Sequence, residues 1–237
     1  MVGGRLAEQL GSAAAADSAR PTSLSNRGRG YDRRPLAGTM RRETHSVAMA
    51  QYDLFSELQT IFPPGLKCEP ELIGADEAAL IVRLIAPLPF KEFEFHGFTG
   101  KRRVVSFGWK YDFSSQRLEK IGHIPDFLLP LRDAAAHFAE LDSGALEQVL
   151  VTEYQPGAAI GWHKDKAVFD EVVGVSLGAS CTMRFRRSIN GHWERRNVRL
   201  DPGSAYLISG EARTEWEHSI PPVARLRYSV TFRTIKR

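Results

Sequence analysis

The chain predicts an α+β fold: a β-sandwich or jelly roll of short strands with helices packed on one side, preceded by a disordered tail. Three observations predict it. Two helical patterns occupy the first half of the ordered sequence. After residue 148 short β-branched or alternating runs follow one another between Gly, Pro, Asn and Asp. Before residue 49 there is little sustained apolar periodicity.

Residues 1–48 are rich in Ala, Gly, Ser and Arg and bury too little apolar surface to offset the entropy of ordering. They are read as a basic arm, a segment faintly like a transit peptide, or a stretch upstream of a start at Met49. Eight arginines stand there against four acidic residues, so the formal charge of +4 belongs to this tail, and the remainder balances 24 basic against 24 acidic groups. Any attraction of the folded part for phosphate must therefore come from local patches.

One domain is expected over 49–237, with helices and substrate-recognition loops over 49–147 and the jelly-roll core over 148–237. "ADEAALIVRLIA" (75–86) reads as a helix with acidic residues at its positive end and a stop before Pro87. A second helix is expected at 125–140, with Pro125 in its first turn. "GKRRVVSFGWKYDF" (100–113) reads as a basic and aromatic hairpin or loop. Strands are read in "QVLVTEY", "EVVGVSL", "TMRFRR", "NVRL", "SAYLI" and "RYSVTFR". The two cysteines, Cys68 and Cys181, form no CxxC pair, which argues against a disulfide scaffold or a thiolate zinc site. No run approaches the roughly 20 apolar residues of a membrane span. A monomeric, cytoplasmic protein of bacterial type is expected, with organelle targeting by the tail left open.

The chemistry begins at "GWHKDKAVF" (161–169). On a strand His163 and Asp165 would share a face, and His218 is the histidine placed to complete a set. Two imidazoles and one carboxylate form the facial triad of non-haem iron oxygenases, although HxD alone is a weak signal. In "RYSVTFR" (227–233) Arg227, Ser229, Thr231 and Arg233 face one way, with about 20 Å between the two arginine Cα atoms at roughly 3.3 Å per residue. Arginines on an inward face require anions, and a small dicarboxylate would satisfy both ends. The alternative is a solvent-facing basic edge strand.

Together "EYQPGAAIGWHKDK", "VVGVSLGASCTMRF", "GSAYLISGEARTEWEHSIPP" and "RYSVTFR" resemble, in order, the AlkB family of Fe(II)- and 2-oxoglutarate-dependent dioxygenases. The resemblance runs from about residue 100 to the end and implies a double-stranded β-helix, the closed form of the jelly roll. It implies that His163, Asp165 and His218 bind Fe(II). Arg227 and Tyr154 would hold the distal carboxylate of 2-oxoglutarate, Arg233 would lie near its metal-chelating end and support Asp165 or its neighbours, and O2 would be the co-oxidant. Three positions depart from the family pattern: Thr152 and Ser229 replace asparagines and would keep a hydrogen bond as 2-oxoglutarate-binding residues, and Ala167 stands where the bacterial prototype has an acid near the substrate base.

The resemblance implies oxidative demethylation of alkylated nucleobases in DNA or RNA, releasing formaldehyde, succinate and CO2. In "FHGFTGKRRVVSFGWKYDF", Arg102, Arg103, Phe107, Trp109 and Tyr111 are the candidate substrate contacts, cations for phosphates beside aromatic faces for a base. The same stretch also reads as a strand with core-facing alternation. "RFRRSINGHWERR" (184–196) is a second basic patch that would track a backbone or form a solvated hairpin. Other readings are the same chemistry on a protein side chain or small molecule, and a non-catalytic nucleic-acid-binding module. A zinc deaminase is disfavoured because HxE and PCxxC are absent.

Overall fold

A computed structural model describes residues 62–95, 98–112 and 115–237, so the 1–48 tail and Met49 lie outside the described residues. In order these residues form β1 (Leu66–Glu69), α1 (Ala75–Ile85), β2 (Lys91–Phe95), β3 (Phe98–Asp112), β4 (Arg117–Gly122), α2 (Leu129–Ala139) and β5 (Gln148–Tyr154). Then follow β6 (Ile160–His163), β7 (Phe169–Gly178), β8 (Cys181–Ile189), β9 (His192–Leu200), β10 (Ala205–Ile208), α3 (Gly210–Thr214), β11 (Glu217–Ile220) and β12 (Arg227–Ile235).

The pairing is antiparallel and makes two sheets. The larger runs β1-β10-β7-β12-β5-β3-β2 with β4 paired to β3, and the smaller runs β6-β11-β8-β9. This is the expected jelly roll. The large sheet nevertheless recruits β1, β2 and β3 from before residue 148, because β5 at the centre still offers an unpaired edge on the side away from β12. The stretch expected as a hairpin or loop is a long strand that satisfies it, pairing Arg102 to Phe107 against Tyr154 to Val149.

Side-chain alternation divides the large sheet into two unlike faces. Val149, Val151, Val173, Val175, Leu177, Tyr228, Val230 and Phe232 join one core cluster with the helices, through Ala78, Ile81 and Ile85 of α1 and Leu131, Ala135 and Ala136 of α2. Both helices thus pack on one side, and their buried residues fall at helical spacing. The helix expected from Pro125 opens as a 3-10 turn over Asp126–Leu128 and becomes α-helical at Leu129.

The opposite face, toward the small sheet, carries Tyr154, Val172, Tyr206 and Ile208 against Met183, Phe185 and Trp216. The residues between these are polar and buried: Thr152, Ser176, Arg227, Ser229, Thr231 and Arg233. Gly174 belongs to this face as well, directly opposite Tyr206 on β10. A Cβ there would fall 2.1 Å from Cζ of the Tyr206 ring, so the missing side chain is what lets that ring lie across β7.

Gly174→Ala is therefore expected to destabilise the protein by about 1–3 kcal/mol, the usual range for overpacking. In a Tyr206→Ala background the same change should cost little. Chemical denaturation of the two single variants and the double variant measures the coupling; equal costs in both backgrounds would rule out the Tyr206 ring as the cause.

Candidate active site

His163 ends β6 and His218 lies inside β11, where the two are directly paired across the strands. Their ring centroids are 4.3 Å apart. Asp165 is past the end of β6, so it reaches the same point from a loop and not through strand alternation. Its Oδ2 lies 3.6 Å from Nε2 of His218. Donors held about 2.1 Å from one ion at right angles stand about 3 Å apart, so this pair is open by a few tenths of an ångström. Among the described residues no group of three His, Cys, Asp or Glu side chains is closed tightly enough to hold an ion as it stands. The donor chemistry does suit a metal. Nδ1 of His163 lies 2.9 Å from the Gly161 carbonyl oxygen, which can only accept. The proton is thereby fixed on Nδ1, leaving the Nε2 lone pair for a ligand.

Asp165 is oriented from behind. Arg233 donates from Nε and Nη2 to its Oδ1 at 3.2 and 2.8 Å, and from Nη1 to Gln148 at 2.9 Å. Burial alone would push the Asp165 carboxyl up, but Arg233, then His218, His163 and Arg213, outweigh it and hold the group well below the usual carboxylate range. Burial, reinforced by the neighbouring His163, pushes the His218 imidazole down to about 3. Burial also lowers His163, against the opposing pull of Asp165. The site therefore holds an ionised carboxylate and two neutral imidazoles at neutral pH.

The other end of the same space is built around Arg227. It is fully buried, stands opposite Tyr154, and its guanidinium lies 4.9 Å from that ring's centroid. None of its three nitrogens meets an oxygen or nitrogen acceptor. Its charge and a hydrogen bond reach the neighbouring Cys181 thiol, which is too weak an acceptor to replace an oxygen. An orphaned guanidinium in a dry site is costly unless an anion arrives. Between the two ends, Ser229 faces Thr152 on one side and Ser176 on the other. The two departures from the family asparagines are thus cross-strand neighbours. The Ser176 hydroxyl is likewise unpartnered.

The candidate substrate residues separate by face. Arg102 is opposite Tyr154 and turns into the site, where its charge helps to lower His163. Arg103 turns the other way into a bidentate pair with Glu153 at 2.8 and 2.9 Å, and stands over Phe90. Phe107 packs on the helix-side core. Strand alternation thus turns both away from the face that carries Arg102. At Gly108, with φ of 73°, the register against β4 shifts. Beyond the shift Trp109 is half-buried, and Tyr111 lies 5.2 Å from the Lys166 ammonium, next to the Asp165 loop.

Two residues of the site escaped the sequence. Burial pushes the Tyr206 phenol up to about 12, so it stays a donor beside the polar chamber. Arg213 of α3 donates to the backbone carbonyls of Lys166, Phe169 and Asp170 at 2.6, 2.7 and 2.9 Å, pinning the loop that follows Asp165. The alternation of "SAYLI" places Tyr206 with Ile208 and so carried a signal for the first; nothing in the order of residues marks the second.

The neutral imidazoles make stability fall with acid. The folded pKa of His218, about 3, lies below its ordinary 6.5, so below pH 6.5 the unfolded chain takes up a proton that the folded one refuses. Stability is then present above that value and is lost as pH falls. In chelator, urea unfolding should weaken between pH 6 and 4.5 by up to about 1.4 kcal/mol per pH unit for each such histidine. His218→Gln should remove about one proton from that slope. An unchanged slope would mean that the imidazole is not buried neutral. Asp165 does not contribute in this window, since its share is lost only below its ordinary 3.8.

A model of the 2OG-Fe(II) oxygenase superfamily matches residues 90–233, more than half the chain. The "Alkylated DNA repair protein ALKBH8 homolog" of Arabidopsis thaliana is 30% identical over 145 residues, 51% of this chain and 42% of that protein. The "tRNA (carboxymethyluridine(34)-5-O)-methyltransferase ALKBH8" of Mus musculus is 28% identical over 172 residues, 68% of this chain and 24% of that protein. The chain thus spans less than half the length of these relatives. Among solved structures, "The structure of OsALKBH1" gives a TM-score of 0.55 at 16% identity over 73% of this chain and 99% of that one. A Pseudomonas putida prolyl-4-hydroxylase gives 0.52 at 14% over 78% and 98%. Likeness at such identity is one of fold. Set beside a paired His163 and His218, an ionised Asp165 and a buried Arg227 without an anion, the match over both sheets places the chain in the 2OG-Fe(II) oxygenase superfamily, whose members take Fe(II), 2-oxoglutarate and O2.

Proposed function

We propose that this enzyme oxidatively demethylates alkylated nucleobases in DNA or RNA, with His163, Asp165 and His218 as the iron ligands. The observation that carries the reading is that these three side chains gather at the Arg233 end of the buried polar face of β12, while Arg227 stands without an anion at its other end. The names of the plant and mouse relatives, one for alkylated-DNA repair and one for tRNA, favour a nucleic-acid substrate for this chain too.

When bound, iron with 2-oxoglutarate and O2 supplies the power to insert oxygen into a C–H bond. The chain's own residues bind and orient. Arg227 pairs with the distal carboxylate of 2-oxoglutarate, and the Tyr154 hydroxyl binds that same end. Thr152 and Ser229 line the molecule's length with hydroxyls. Arg233 keeps Asp165 ionised and aimed, and the shell of Met183, Phe185 and Trp216 excludes water. An N-methyl group hydroxylated here leaves as formaldehyde. Arg102, Trp109 and Tyr111 remain the candidates for meeting the substrate.

Succinate release that requires Fe(II) and 2-oxoglutarate should be lost in His163→Ala, Asp165→Ala and His218→Ala; turnover at the wild-type rate in any of them would sink the ligand assignment. On a panel of methylated single-stranded DNA, duplex DNA, RNA and a methyl-lysine peptide, coupled turnover is expected on nucleic acid. Turnover confined to the peptide would overturn the substrate.

Arg227→Met should act in opposite directions on binding and folding. The KM for 2-oxoglutarate should rise at least about tenfold, as loss of a charge-assisted pair implies. The ligand-free protein should melt no lower than wild type, because an unpaired buried charge is removed. A lower melting temperature would show that Arg227 is satisfied without an anion.

A further inference from the structure

The outer face of the small sheet carries a cluster that the oxygenase chemistry does not use. Register across β8 and β9 sets Thr182 opposite Arg199, Arg184 opposite Asn197, Arg186 opposite Arg195 and Ser188 opposite Trp193. Met183, Phe185, Val198 and Leu200, which alternate with them, are buried in the core between the sheets, so these polar and aromatic side chains point outward. The Arg186 guanidinium is held between two indoles, 4.4 Å from the centroid of Trp162 and 4.3 Å from that of Trp193. Arg184 lies 5.0 Å from Trp162. Trp193 is 46% exposed, a large cost for a side chain that nothing covers. Four arginines share this face, and among the described residues two carboxylates pair with them, Glu217 with Arg186 and Asp201 with Arg199.

Resting on the nucleic-acid reading above, we propose that this face is a docking platform for the single strand that carries the substrate base. Flat indoles interleaved with guanidinium planes offer stacking surfaces of a kind any base can use, and the surplus positive charge complements a phosphodiester backbone. The place in the fold supports the same occupant. Trp162 and His163 are consecutive on β6, the edge strand of the small sheet, and so lie on opposite faces of it. A strand lying across the platform has only to turn over one edge strand to bring a base to His163. The long-range field cannot provide this attraction, since the acidic and basic residues after residue 48 balance.

The test is fluorescence anisotropy with labelled, unmodified 12-mers of single-stranded DNA and RNA, an abasic 12-mer, and polyglutamate, over a range of salt. Two surface variants are used, Trp193→Ala and Arg195→Glu, each first shown to melt within a few degrees of wild type. Trp193→Ala should weaken base-bearing strands at least fivefold and leave the abasic strand unaffected. Arg195→Glu should weaken all strands about tenfold and lower the salt slope by about 0.7 for each phosphate that is no longer neutralised. On a methylated 12-mer both should raise KM with kcat retained. Preference for RNA or for DNA in the wild type names the source of the strand. Variants that bind every strand like wild type, or polyglutamate bound as tightly as the oligonucleotides, would overturn the platform. If methylated strands are turned over and the variants behave as wild type, the platform alone fails. If the variants lose strand binding as stated but turnover is confined to peptide, the substrate reading alone fails.

Discussion

Arg227 and Arg233 leave the same face of β12 and enter the space between the two sheets, where a guanidinium without an anion costs several kcal/mol. That burial constrains everything around it. Arg233 is satisfied within the chain, by Asp165 and Gln148, and in return fixes where that carboxylate points. Arg227 is not satisfied within the chain. The protein therefore carries a local deficit that only a ligand of the right charge removes.

The strand tolerates such a face because its opposite face is unusually apolar. Tyr228, Val230 and Phe232 are nearly inaccessible and pack with the helices. β12 also lies between β5 and β7 along its length, so its backbone is satisfied on both sides. The stability of the sheet comes from its helix side, and the polar side is left free to serve chemistry. His163, Asp165 and His218 are supported differently. β6 and β11 are four residues each, and the loop after β6 is held by the buried Arg213 through three carbonyls. A short helix thus does for Asp165 what the core does for Arg227.

Much of this is legible in the order of residues. The runs from "QVLVTEY" to "RYSVTFR" are strands because β-branched alternation is a local property. The grouping of His163, Asp165 and His218 is legible too, but for an incomplete reason: strand alternation would place Asp165 beside His163, and it arrives instead from a loop. The basic aromatic stretch is the least legible. Arg102 and Arg103 are identical in type and adjacent, yet one enters the site and the other is bound to Glu153. Phe107 looks like a stacking residue and is a core residue. Composition cannot separate these; only the phase of the strand relative to β5 does.

What the sequence by itself determined is the set of strands, the two-faced character of β12 and the kinds of donor available, since each follows from periodicity and side-chain chemistry within a few residues. Tertiary structure decided which of those donors meet. It set His218 opposite His163, left Arg227 without an anion, and brought Tyr206 over Gly174 and Arg213 to the Asp165 loop. These contacts join residues tens of positions apart, and their partners are chosen by strand register and by the space left at a glycine, neither of which is written in the neighbourhood of any one of them.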